Sequence, residues 1–192
     1  MPTENVSTNG HLYVASGLRA ITRHITIHDE KGTSKFLPSA PPMHYFDRGR
    51  GYVLSRVYSF PSIPVALPKD HDLTAYLSKD GDTHPSSFTN GNTNVLEGGV
   101  NFIVVDMDPG SSTPLHRTVS VDLVVVIEGR LGLWLESGEA IQMGPGDMVV
   151  QRGTMHKWAN LSDTESVRFL GVVTYTERIQ IGGKPIERYY DE

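Results

Sequence analysis

The chain has no cysteine among its 192 residues. That absence excludes disulfides, thiolate metal sites and a cysteine nucleophile together, leaving imidazole and oxygen as the side-chain ligands. Basic clusters are missing too: 17 Lys and Arg stand against 22 Asp and Glu, for a formal net charge of −5. Binding to a phosphate backbone rests on concentrated Lys and Arg, so no nucleic-acid partner is expected. No stretch approaches the ~18 apolar residues of a membrane span, and Met1–Gly17 has neither a basic start nor a long apolar run. A cytoplasmic location with no membrane partner is therefore expected. Amphipathic helices are also scarce, because after residue 20 no segment carries a convincing 3.6-residue apolar period. What remains is enough chain for one domain, since this length buries roughly 70% of its unfolded surface.

Residues 1–20 read as an N-terminal lead-in, with 1–10 frayed and Leu12–Ile21 a short helix or an irregular segment. Residues 21–192 read as a single domain. In Ile21–His28 the apolar Ile21, Ile25 and Ile27 alternate with Thr22, His24, Thr26 and His28, the pattern of a half-buried strand. His24 and His28 then lie on its polar face, solvated or at an interface. Leu37–Gly51 carries Pro38, Pro41 and Pro42, which oppose regular pairing and mark an ordered loop or arm. Tyr52–Phe60 is a second strand. Residues 78–94 (SKDGDTHPSSFTNGNTN) are the least hydrophobic segment, expected as a mobile surface loop.

From Val95 onward short strands and turn signals follow one another closely. Val100–Met107 ends at Asp108-Pro-Gly110, turns fall at 128–130, 137–138, 144–146, 152–153 and 161–164, and Val167–Thr176 is a last long strand. The tail Ile179–Glu192, with Gly182-Gly183, returns as an edge strand or crosses to a partner subunit. This succession predicts an all-β, antiparallel sandwich or barrel. Gly129, Gly138, Gly146 and Gly153 are turn residues rather than phosphate loops, because no helix follows them, and no nucleotide cofactor is expected.

Residues 110–160 hold the chemistry. His116, Thr118, Ser120 and Asp122 recur at every second position, so an extended backbone puts them on one face with Val119, Val121 and Leu123 on the other. His156, Trp158 and Asn160 repeat the spacing. Two strands thus each aim an imidazole at one enclosed space, and Asp122 adds a carboxylate.

These residues resemble the cupin family, whose first motif runs G-x5-H-x-H-x3,4-E-x6-G and whose second runs G-x5-P-x-G-x2-H-x3-N. Gly110, His116, Asp122 and Gly129 match the first, with Thr118 in place of the second His and Asp122 in place of the Glu. Gly146, His156 and Asn160 match the second, one residue short and with Gln151-Arg-Gly-Thr154 in place of its Pro segment. The set is similar to a subgroup of small bacterial and fungal cupins, the fungal ones associated with secondary metabolism and polyketide tailoring. The resemblance implies an antiparallel jelly-roll barrel with a site in its mouth, an N-terminal strand-rich extension, and a homodimer packed through N-terminal strands. It also implies a metal cage, of which His116, His156 and Asp122 remain. These three form a facial triad for iron, zinc or manganese, or work without metal as acid, base and orienter.

Three functions fit. The leading one is a small-molecule lyase or isomerase that decarboxylates or dehydrates a polyketide-like or aromatic acid, with His116 or His156 moving the proton and Asp122 fixing its tautomer or sharing a metal. The others are a metal-dependent dioxygenase on the same triad and a non-catalytic metabolite-binding module. Thr118, Ser120, Trp158 and Asn160 are candidate substrate-lining residues. Plainer readings stand beside these: buried structural histidines, an Asp122 paired with Arg117 or Arg130, polar groups that merely fill the barrel, and an Arg152 that binds an anion or sits in a surface salt bridge.

Overall fold

Where the sequence alternates apolar and polar residues between glycine-rich turns, the backbone pairs into antiparallel ladders. The computed structural model describes residues 15–190 apart from 16, 42, 92 and 93. Its strands are β1 (Thr26–His28), β2 (Ser34–Phe36), β3 (Tyr45–Asp47), β4 (Tyr52–Phe60), β5 (Val100–Met107), β6 (His116–Arg117), β7 (Ser120–Glu128) and β8 (Leu131–Leu135). They continue with β9 (Ala140–Met143), β10 (Met148–Arg152), β11 (His156–Asn160), β12 (Val167–Tyr175), β13 (Gln180–Ile181), β14 (Lys184–Pro185) and β15 (Tyr189–Tyr190). A six-stranded sheet of order β10-β7-β12-β5-β4-β3 and a five-stranded sheet of order β15-β6-β11-β8-β9 make an antiparallel jelly-roll barrel. The hairpins β1-β2 and β13-β14 lie outside these sheets.

The inward faces supply one core, in which Met107, Val126, Leu131, Met143, Val167 and Phe169 pack with Trp158. Gly129 makes the turn from β7 to β8 at φ +83°, and a Cβ there would stand 2.6 Å from the Ser166 carbonyl oxygen, so only glycine fits. Beneath the core, Asp106 on β5 and Arg168 on β12 form a buried two-pronged ion pair, both contacts at 2.6 Å. Arg168 Nη1 also donates to the Arg19 carbonyl at 2.7 Å, clamping the lead-in to the barrel. Residues 1–10 lie outside the described part. Of Leu12–Ile21, the described residues 15 and 17–21 are not helical.

Several expectations for the first hundred residues are corrected. The strand expected over Ile21–His28 is only β1, because Ile21–Ile25 have no ladder partner and just Thr26–His28 meet Ser34–Phe36. The proline-rich 37–51 segment does pair: beyond its prolines, Tyr45–Asp47 joins the sheet edge against β4. A short helix, α1 (His71–Leu77), follows a 3-10 turn at Pro68–Asp70. Seven residues are too few to display a period, yet α1 buries Leu73, Ala75 and Tyr76, and the Tyr76 hydroxyl donates to the Val57 carbonyl at 2.8 Å.

The polar 78–94 segment is packed rather than loose in its described part. Ser86 and Ser87 are almost fully buried, at 1% and 0% exposure. Arg56 on β4 donates through Nη1 to the carbonyls of Pro85 at 2.7 Å and Ser87 at 2.6 Å, and Ser59 holds the Ser86 carbonyl at 2.5 Å. Burial pushes the Arg56 guanidinium down to about 10. Among the described residues no helix is long and apolar enough to cross a membrane.

Candidate functional site

His116 and His156 are direct cross-strand partners in the β6–β11 ladder, which is why their rings meet with centroids 4.3 Å apart. The chain then leaves that sheet. Thr118 and Val119 carry it across, and Ser120 opens β7 of the opposite sheet, so the single extended segment expected over His116–Asp122 is broken in two. Both pieces still turn inward. His116, Asp122 and His156 line one cavity of about 330 Å³ at the barrel mouth, together with Thr118 and Trp158.

The two remaining candidate lining residues are occupied elsewhere. Ser120 is fully buried, and its hydroxyl donates to Thr118 Oγ1 at 2.7 Å, outside the cavity wall. Asn160 donates to the carbonyls of Asp108 at 3.0 Å and Glu165 at 2.8 Å and accepts from the Ser162 amide at 3.0 Å. Its side chain is spent on holding two loops together, so its place in substrate binding is withdrawn. Arg152 is exposed and lies off this cavity.

The imidazoles are oriented by the main chain. His116 Nδ1 lies 2.9 Å from the Pro114 carbonyl, and His156 Nδ1 lies 2.9 Å from the Thr154 carbonyl. Gln151, the cross-strand partner of Asp122, has its Nε2 2.7 Å from Thr154 O, 2.9 Å from Thr154 Oγ1 and 2.8 Å from His156 Nδ1; giving its two amide hydrogens to the Thr154 oxygens assigns His156 Nδ1 a proton of its own. A proton on each Nδ1 leaves each Nε2 as a bare acceptor. The expectation that Asp122 fixes a histidine tautomer is thereby corrected, because carbonyl oxygens do so.

Burial sets the charge state of all three groups. It lowers His116, with Arg188 adding to the effect, and lowers His156 to about 4, with His116 adding to it. Burial pushes the Asp122 carboxyl up from its ordinary 3.8 to about 6, and its Oδ1 is a buried acceptor with no hydrogen-bond partner. Burial therefore disfavours the charged form of each group, moving the carboxyl up and both imidazoles down.

A divalent ion is what the cupin motif implies. Two imidazoles with free Nε2 atoms and main-chain-anchored Nδ1 atoms suit one. The third ligand fails the fit: among the described residues no three His, Asp or Glu side chains group closely enough to hold a metal. Thr118 Oγ1 is already engaged by Ser120. The triad of His116, Asp122 and His156 does not fit as a metal cage built by this chain alone.

Residues far from the motifs complete the cavity. Arg48 and Tyr52 come from the β3–β4 turn and the start of β4, and Arg188 and Tyr190 come from the tail. β15 pairs with β6 so that Tyr190 lies opposite His116, their rings stacked at 5.5 Å and 11°. The sequence signal for these was faint, amounting to an expected returning edge strand in the tail.

Comparison with known proteins places this architecture. The Cupin_2 family (cupin domain) matches residues 103–173. A protein of Aspergillus ruber named cupin-domain-containing oxidoreductase fogC is 36% identical over 95% of this chain and 90% of its own length. Phomopsin biosynthesis cluster protein D of Diaporthe leptostromiformis is 36% identical over 87% of this chain and 85% of its own. Among solved structures, the polyketide cyclase RemF from Streptomyces resistomycificus aligns with TM-score 0.42 and 19% identity, covering 76% of this chain and 75% of its own. With its motif histidines paired across adjacent strands of one sheet and a cupin-domain relative 36% identical along nearly its whole length, the chain belongs to the cupin family.

Proposed function

We propose that the protein is a homodimeric tailoring enzyme of secondary metabolism, a lyase or isomerase that dehydrates or decarboxylates a polyketide-like or aromatic small molecule by proton transfer in the barrel cavity. The supporting observation is a shared cavity in which burial pushes a carboxyl up to about 6 and moves the two imidazoles down. A general base works best when its pKa lies near the working pH, and here that group is Asp122. In a dehydration Asp122 takes the proton from carbon and hands it to the departing hydroxyl, so the C–H and C–O bonds break, the C=C bond forms and water leaves with the carboxylate regenerated. In a decarboxylation the C–C bond breaks, carbon dioxide leaves, and the carbanion takes a proton from the same carboxyl. The Nε2 lone pairs of His116 and His156 accept hydrogen bonds from hydroxyl or enol groups of the substrate and orient it. Placement in secondary metabolism is supported by relatives named for fungal biosynthesis clusters.

A second reading, oxidation, is supported by the name oxidoreductase carried by relatives. The product's mass separates the two: loss of water or carbon dioxide without consumption of oxygen supports the lyase, whereas loss of two hydrogens or gain of oxygen sinks it. A third outcome is a binding module. Asp122→Asn, assayed on the compound that accumulates when the gene is deleted, should lose turnover by about 10²- to 10⁴-fold while still folding and binding it, and His116→Ala and His156→Ala, which remove orienting hydrogen bonds, should lose turnover to a smaller degree. Unchanged turnover in all three leaves the acid/base mechanism without its groups.

A further inference from the structure

The mouth of the cavity carries two guanidinium groups that the acid/base mechanism does not use. Arg48 lies in the turn before β4, and Arg188 lies just ahead of β15, so they approach from opposite ends of the chain onto one opening. Neither is in an ion pair among the described residues, where the pairs are Arg168 with Asp106 and Arg178 with Glu187. Arg48 is held by neutral acceptors, Nη2 donating to the Gly91 carbonyl at 2.8 Å and to Asn94 Oδ1 at 3.0 Å. Arg188 lies over the ring of Tyr190 with its guanidinium carbon 4.5 Å from the centroid. Such contacts aim a guanidinium and leave its charge and most of its five donors available.

Asp122 is not their counter-ion. Among the described residues it is the one carboxylate on the cavity wall, and its ionisation responds to burial and to Ser120, with no arginine contributing. Arg188 does reach His116, whose protonated form it disfavours. A chain of net charge −5 thus brings together, at its cavity, two arginines that have no carboxylate partner among the described residues. Beside the His116, Asp122 and His156 side chains the wall has an apolar stretch of Leu54, Val105, Val124, Phe169 and Val173, and Gly171 leaves room where a Cβ would press within 3.2 Å of Ile103. Charge at the rim and hydrocarbon within describe a ligand with an anionic head and an apolar body.

We propose that Arg48 and Arg188 form a carboxylate-binding rim that selects acidic substrates and seats their apolar body against the barrel interior. The proposal rests on reading the cavity as the substrate site, and its test is a binding measurement that is independent of turnover. The probes are 2-naphthoate and its neutral counterpart 2-naphthamide, titrated calorimetrically and followed by quenching of tryptophan fluorescence, since Trp158 stands in the cavity wall. The acid should bind the intact protein at least about tenfold more tightly than the amide, a preference of about 1.4 kcal/mol that shrinks as salt rises. Arg188→Gln and Arg48→Gln should each remove most of that preference by weakening the acid alone, and Arg48→Lys should recover only part of it, because an ammonium lacks the fork. The preference is read from binding alone, so a failed mechanism and a failed rim give different results. Equal affinity for acid and amide, an undiminished preference in both Gln variants, or no binding of naphthoate at about 10 mM each overturns the rim.

Discussion

Replacing Asp122 with Asn should make the protein more stable and less active at once, and the stability gain should depend on pH. The folded chain keeps the Asp122 proton up to about pH 6, whereas the unfolded chain releases it near 3.8. Through that interval the folded state binds more protons, so raising the pH destabilises it, until the full cost is reached above about pH 6. The difference between 3.8 and about 6, at about 1.4 kcal/mol per tenfold, corresponds to about 2–3 kcal/mol for holding the charged carboxylate in the cavity. Asn removes the ionisation and keeps the shape. At pH 8 the variant should melt about 4–8 °C higher than the parent for a gain of about 2 kcal/mol, and near pH 4 the two should nearly coincide. Circular-dichroism melts at both pH values, paired with turnover, make the measurement. A variant less stable than the parent at pH 8, or a difference equal at both pH values, would show that the carboxylate is not strained by burial. Stability gained as activity falls is the mark of a residue kept for function.

Other outcomes follow from the scaffold. Asp106→Ala leaves Arg168 buried without its carboxylate and should cost about 3–5 kcal/mol in chemical denaturation; a loss under about 1 kcal/mol would mean the pair is not buried in solution. Arg56→Met keeps the bulk but strands the carbonyls of Pro85 and Ser87, so limited proteolysis should cut within residues 78–94 much faster than in the parent. An unchanged cleavage rate would contradict the packing of this segment through Arg56. Leu123, Met148 and Val150 stand exposed on the outer face of β7 and β10, Met148 at 77%. If the proposed homodimer forms there, Met148→Glu combined with Val150→Glu should yield monomers by light scattering, and a persisting dimer would place the contact elsewhere.

The half of the chain after residue 95 was legible because its longer strands have one apolar face and several of them end at a glycine or proline turn. Val100–Met107 and Tyr52–Phe60 are strands over the residues the alternation marks. His116, Asp122 and His156 were legible for a related reason, since fixed spacing on pleated strands brings side chains to one face. Arg48 and Arg188 were not, because charged residues at loop ends have no period and meet only through the long-range pairing of β3 with β4 and β15 with β6. The 78–94 segment misled because its buried contacts are made by backbone carbonyls to Arg56, which leave no hydrophobic trace. Asn160 stands at a motif position, yet only its partners reveal that it joins loops.

The crossing at Thr118–Val119 has a mechanical consequence. His116 rides on the five-stranded sheet and Asp122 on the six-stranded one, although only six positions of chain separate them. The gap between the imidazole pair and the carboxyl is therefore set by how far apart the two sheets stand, as the jaws of a caliper are set by its slide. The slide here is the buried filling of Met107, Val126, Leu131, Met143 and Val167, none of which touches the cavity. A methylene added or removed there would change the reach between the reactive groups by a fraction of an ångström without altering any of them. Substitutions deep in the hydrocarbon are thus a route by which this barrel can be refitted to a longer or shorter substrate while its reactive side chains stay unchanged.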